Sequence, residues 1–154
     1  MELKYLPIFV YGTLRPGEAN YSATLRGRVL ARGGAQMPGT QLLLTPAYPF
    51  LRFTNNPQDT VTGELLLLHG EIFAEAIAEL DELEGYIEEG AEDNLYIRII
   101  SHATVADPDQ WEGRRQVECY VYVASAETLE KEADDLVISS SGDWTYKDSE
   151  LDEA

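Results

Sequence analysis

The sequence holds one cysteine, Cys119, two histidines, His69 and His102, and only 11 basic residues against 28 acidic ones. A lone cysteine excludes an internal disulfide and fits a reducing compartment, so the expected location is the cytoplasm. Two histidines far apart in sequence do not make a structural zinc site, and no metal is assigned. The formal net charge of −17 repels phosphate backbones, which sets nucleic acid aside as a partner. In the first 35 positions Lys4, Arg15, Arg26, Arg28 and Arg32 outnumber Glu2 and Glu18 by three, too few to reverse that field. The same charge favours a monomer at low salt. The longest aliphatic run is Leu65 to Leu68, far short of the ~20 residues of a membrane span. The start, Met1-Glu2-Leu3-Lys4, lacks the basic and apolar regions of a secretory signal. G-x-x-x-x-G-K-[ST], G-x-G-x-x-G, H-E-x-x-H and G-x-S-x-G are all missing, and no cofactor is assigned.

What is present suits a folded chain. With 154 residues and 44% hydrophobic content, the expectation is one domain over residues 1–154, ending in an acidic tail from about 147. The acid is unevenly spread: ten carboxylates and no Lys or Arg lie between Glu71 and Asp93. Most of them read as a solvated helix face.

Ile8-Phe9-Val10-Tyr11 is an apolar run ended by Gly12, the pattern of a buried strand entering a loop, which continues through Pro16-Gly17. Residues 26–32 and 41–44 read as further strands, divided by Gly33-Gly34 and Pro38-Gly39. Residues 45–58, with Pro46, Pro49, Pro57 and Asn55-Asn56, read as mostly turn. Residues 61–68 resume as a strand in which Gly63 marks a close backbone approach. Ile72, Phe73, Ala76, Ile77, Leu80 and Leu83 recur at helical spacing and predict a helix ended by Gly85. Residues 95–105 and 116–123 are β-rich, and Ser125 is placed to cap a last helix to about Leu136. The pattern predicts an α+β fold, a curled sheet or small mixed β-barrel with helices packed outside.

Two features carry chemistry. A glycine at a strand end, as in Tyr11-Gly12-Thr13-Leu14, lets the following amide groups meet a ligand, although an ordinary turn has the same composition. Glu84 follows Leu83, taken as core-facing, at a helix end where the dipole disfavours a carboxylate and raises its pKa. Its plain alternative is a solvated glutamate. Cys119 sits in an alternating strand and reads as a core residue, not a nucleophile.

In order along the chain, Tyr11-Gly12-Thr13-Leu14, Val61-x-Gly63-Glu64-Leu65, Leu80-Asp81-x-x-Glu84-Gly85 and Tyr96-x-Arg98 resemble the gamma-glutamylcyclotransferase-like (AIG2-like) superfamily. Cys119-Tyr120-Val121-Tyr122-Val123 and Ser141-Gly142-Asp143-Trp144 extend the resemblance over residues 7–146. Leu14-Arg15-x-Gly17 is similar to the gamma-glutamylamine cyclotransferase branch. The resemblance implies a small β-barrel with helices outside, a small-molecule gamma-glutamyl substrate, and Tyr11, Gly12, Thr13 and Leu14 as the loop that holds it. It implies Glu84, not Glu82, as general acid/base, in a reaction that closes the glutamyl unit to 5-oxoproline and releases an amine without a cofactor. Arg15 and Asn20 are placed at the pocket border. Tyr96, Tyr120 and Tyr122 read as pocket wall or as buried sheet, and Arg98 as a partner for substrate or for the acidic segment before it. The selective wall is expected from residues 45–58 and later loops. Two other functions fit the same residues: a non-catalytic member binding an amino acid or carboxylate, and an interaction protein using its acidic helix and tail.

Overall fold

The computed structural model describes residues 3–45, 49–86 and 94–146; the expected acidic tail from 147 lies outside them. In chain order the elements are β1 (Ile8–Val10), α1 (Ala19–Thr24), β2 (Val29–Pro38), β3 (Thr40–Leu44), β4 (Pro49–Phe53), β5 (Thr60–Leu68), α2 (Phe73–Leu83), β6 (Tyr96–Val105), β7 (Gln116–Ala124), α3 (Ala126–Glu132) and β8 (Val137–Ile138). Five strands close a barrel in the order β1-β5-β2-β6-β7. All neighbours are antiparallel except β7 and β1, which meet in parallel at Ile8 and Tyr120 and complete the ring. β4, β3 and β8 form a second, three-stranded sheet. The mixed barrel with outer helices matches the expected fold class.

Side-chain alternation divides the core. Ile8 and Val10 of β1 and Leu66 and Leu68 of β5 join Phe73, Ala76, Ile77 and Leu80, the apolar face of α2, in one cluster. Phe9 and Leu65, on the opposite faces of the same strands, join a second cluster with Trp111, Cys119 and Trp144. Gly63 lets β1 approach β5 closely, since a Cβ there would lie 2.3 Å from the Val10 carbonyl oxygen. Ser125 caps α3 as expected, its hydroxyl accepting from the Thr128 amide at 3.1 Å.

Several local readings are corrected. β2 runs straight through Gly33-Gly34, which pair with Leu65 and Glu64 of β5 instead of breaking the strand. At Gly33 the missing side chain leaves room for Gln110, whose Oε1 would be 2.5 Å from a Cβ. Residues 45–58 contain a true strand, β4, because Pro49 occupies its first position, where a lost N–H does least harm. α1 and β8 have too few residues for any periodicity to show and went unanticipated. Leu83, expected in the core, is 43% exposed. Among the described residues no helix is long and apolar enough to cross a membrane.

Candidate active site

β1 delivers its chain into a tight turn. The Arg15 amide donates to the Gly12 carbonyl at 3.0 Å, leaving Thr13 and Leu14 at the centre. Asn20 holds the turn from α1, its amide N–H donating to the Thr13 carbonyl at 2.9 Å and its Nδ2 to the Thr13 hydroxyl at 2.8 Å. Among the described residues the amide groups of Thr13 and Leu14 donate to no protein acceptor. Gly12 is required by close packing: a Cβ there would lie 2.5 Å from Pro49 Cγ.

Facing this turn is the end of α2. Gly85 adopts φ +68°, the left-handed conformation that glycine reaches without penalty. That reversal lets the Tyr86 amide donate to the Asp81 carbonyl at 2.8 Å and the Gly85 amide to the Glu82 carbonyl at 3.2 Å, the paired bonds of a Schellman cap. Glu84 is therefore the C-cap residue, anchored at its own amide to the Leu80 carbonyl at 2.9 Å. It lines one cavity together with Phe9, Val10, Leu14, Pro49 and Leu95. Burial there pushes its carboxyl from the ordinary 4.5 up to about 7. The negative end of the α2 dipole acts in the same direction. Glu82, two residues earlier, is exposed.

Three tyrosines brace the walls. Tyr11 donates its hydroxyl to the Tyr122 carbonyl at 2.6 Å, and Tyr96 donates to the Pro49 carbonyl at 2.8 Å. Burial first, then the neighbouring Tyr96 and Glu84, hold the Tyr11 phenol well above its usual pKa, so it stays a neutral donor. Tyr122 donates to Asp81 Oδ1 at 2.7 Å, and the other oxygen of Asp81 accepts from Arg98. Arg98 is packed over the rings of Tyr86 and Tyr120, each centroid 5.3 Å from its guanidinium carbon. Asp81 thus ties α2 to β6 and β7 one turn before Glu84. Asp81→Ala strands a guanidinium whose side chain is only 16% exposed, and should lower unfolding free energy by about 2–4 kcal/mol in urea titrations.

The cavity between turn and helix end has a volume of about 360 Å³. Tyr11, Gly12, Thr13, Leu14 and Glu84 all line it, and so do Asn20, Tyr96 and Tyr122. Tyr120 does not; its hydroxyl donates to the Lys4 carbonyl at 2.7 Å. Arg15 also lies elsewhere. Its guanidinium pairs with Asp143 at 2.9 Å and faces Glu64 at 3.7 Å, which gives the Val61–Leu65 and Ser141–Trp144 motifs a structural task. Arg98 is taken up by Asp81. Sequence reasoning missed Phe9, Val10 and Leu95 as lining, and placed Leu83 in the core although it lies at the cavity wall. Of the expected selective wall, Pro49 is in place and residues 46–48 lie outside the described chain. Cys119 is fully buried away from the cavity, and burial pushes its thiol up to about 12. Among the described residues no group of three or more His, Cys, Asp or Glu is arranged to hold a metal ion.

Known proteins resemble this chain in sequence and in fold. The chain is 36% identical over 92 residues to a gamma-L-glutamyl-butirosin B gamma-glutamyl cyclotransferase of Niallia circulans, an alignment covering 60% of this chain. It covers 54% of that protein, so the chain spans about half the length of this relative. Among solved structures, an AIG2-like protein of Mus musculus superposes with a TM-score of 0.56 at 24% identity, covering 80% of this chain and 82% of that one. YkqA of Bacillus subtilis gives 0.61 at 18% identity, over 97% of this chain and 43% of that one. PH0828 of Pyrococcus horikoshii, an uncharacterised protein, gives 0.57 at 17% identity over 96% and 97%. At such identities these structures share the fold. The model of the family described as gamma-glutamyl cyclotransferase, AIG2-like, matches residues 8–146, and the chain belongs to that family.

Proposed function

We propose that the protein is a gamma-glutamyl cyclotransferase that closes a gamma-glutamyl group to 5-oxoproline and releases an amine, with Glu84 as general acid/base. The observation that carries this reading is a single carboxyl, held near 7 by burial, opposite a turn with two unengaged amide donors. The α-amino group of the substrate attacks its own γ-carbonyl, forming a C–N bond and closing a five-membered ring. Glu84 accepts the proton that the α-nitrogen loses and returns it to the departing amine as the old C–N bond breaks. The reaction is unimolecular, so the protein need only hold the folded rotamer and move that proton. Thr13 and Leu14 supply amide donors for the substrate's α-carboxylate or the developing oxyanion. Tyr11, Tyr96 and Tyr122 have their hydroxyls engaged in the walls, so they act as shape.

The test is direct. Purified protein incubated with gamma-glutamyl amines, gamma-glutamyl amino acids and glutathione should release 5-oxoproline from at least one class. Binding without turnover across the panel would instead support a non-catalytic ligand-binding member. With a good substrate, kcat/KM should rise with pH through an apparent pKa near 7, because only the ionised Glu84 accepts a proton. A profile flat between pH 5.5 and 8.5 would contradict the assigned base.

A further inference from the structure

We infer that a second cavity, on the outer face of the barrel, is a binding site for an organic ammonium ion that carries hydroxyl groups. The cavity has a volume of about 520 Å³ and shares no lining residue with the one that holds Glu84. Its floor is two neighbouring rows of residues across β5, β2 and the end of β6. Thr62, Gln36 and Thr104 stand side by side in one row. In the next, Gly34 lies opposite Glu64, and its carbonyl accepts from the Ala106 amide at 2.9 Å. Ala35, Leu65 and Val105, the alternate residues of the same strands, belong to the second core cluster, so these rows face away from it.

Gly34 leaves a notch beside a carboxylate that lacks donors. A Cβ at Gly34 would meet only the Ala106 Cβ, at 3.7 Å, so no packing fills the gap. The Glu64 side chain is 22% exposed, and among the described residues it accepts no hydrogen bond. The Arg15 Nε stays 3.7 Å from it, while the same guanidinium contacts Asp143 at 2.9 Å. Two carboxylates thus share one guanidinium, and the local balance is negative. An ammonium seated over Gly34 brings three donors to Glu64, and the net charge of −17 draws it in. The adjacent row suits hydroxyls. The Thr104 hydroxyl has no hydrogen-bond partner among the described residues, and Gln36 reaches Thr62 only at 3.4 Å. An anion would meet Glu64 instead. A metal ion is the wrong cation here, since among the described residues no group of three or more His, Cys, Asp or Glu is arranged to hold one.

Three compounds of nearly one size test this: 2-amino-1,3-propanediol, glycerol and glycerate. Each is titrated into isotope-labelled protein and followed by amide NMR at about 0.15 M salt, where the general field of the acidic surface is screened. Shifts centred on Gly34, Glu64 and Thr104 should saturate with the ammonium compound, need about tenfold more glycerol, and be absent with glycerate. Glu64→Gln and Gly34→Thr should each weaken the ammonium complex by about fivefold or more. Gly34 lies in a strand and outside the left-handed region, so threonine fills the notch without strain and keeps every charge. Binding retained by both variants overturns the inference. So does an equal response to glycerol, shifts centred on Thr13 and Leu14 or spread over the acidic surface, or no saturable shift with any of the three.

Discussion

Glu84→Gln is expected to remove 5-oxoproline release, lowering kcat by about 10²–10⁴ while the protein stays folded. The substitution preserves shape and hydrogen-bonding reach and removes only the proton acceptor. The same variant carries a second, opposite signature in stability. Because burial raises the folded-state value to about 7 from the ordinary 4.5, the folded chain holds that proton more tightly than the unfolded one. The native protein is thus penalised as pH rises from 4.5 through 7, and the penalty is absent below 4.5. Glu84→Gln should therefore melt at higher temperature than the parent at pH 8 and at the same temperature at pH 4. Loss of activity with that pH-dependent gain identifies a working carboxylate held at a cost. Glu82→Gln, at an exposed position, should change neither quantity. Near-full turnover by Glu84→Gln would sink the proposed role.

Trp144→Ala should cost about 3–5 kcal/mol of unfolding free energy, a large share of the ~5–15 kcal/mol that holds a typical domain. Trp144 is 2% exposed in the second core cluster, beside Trp111 and the inner residues of β1 and β5. The segment before it is tied to β5, with the Thr62 amide donating to the Gly142 carbonyl at 2.7 Å and Asp143 bridging in parallel to Thr62. Gly142 sits at φ +67°, and a Cβ there would lie 2.3 Å from the Thr60 carbonyl oxygen, so the chain is drawn tight against the strand. Asp143 in turn holds Arg15, the last residue of the turn after β1 that lines the cavity through Gly12, Thr13 and Leu14. Emptying the Trp144 site should consequently reduce turnover as well as the urea midpoint. A loss below about 1 kcal/mol would mean that the segment repacks around the void.

Much of the site was legible in the residues because its two halves are local structures. A helix stop at Gly85 depends on one positive φ within one turn, so it shows in a short stretch of sequence and places Glu84 at the C-cap. Gly12 after four apolar residues likewise marks a strand running into a turn. The Ser125 cap needs only the hydroxyl and an amide three residues on. Leu83 was misjudged for the opposite reason: helical periodicity fixes which face a side chain shares, yet not where the helix stops facing the core. At the final turn of α2 the barrel falls away and Leu83 borders the cavity.

From the sequence alone, then, come most of the barrel-forming strands, the amphipathic helix and its glycine stop. These rest on contacts within a few residues or on periodicity, which a linear string contains. Only the tertiary structure settled that Arg15 turns to Asp143, that Arg98 is consumed by Asp81, and that Pro49 opens a strand beside Gly12. It also decided that the Glu84 carboxyl is buried deeply enough to be raised to about 7. Desolvation is a sum over atoms brought together from distant parts of the chain, and no local pattern records that sum.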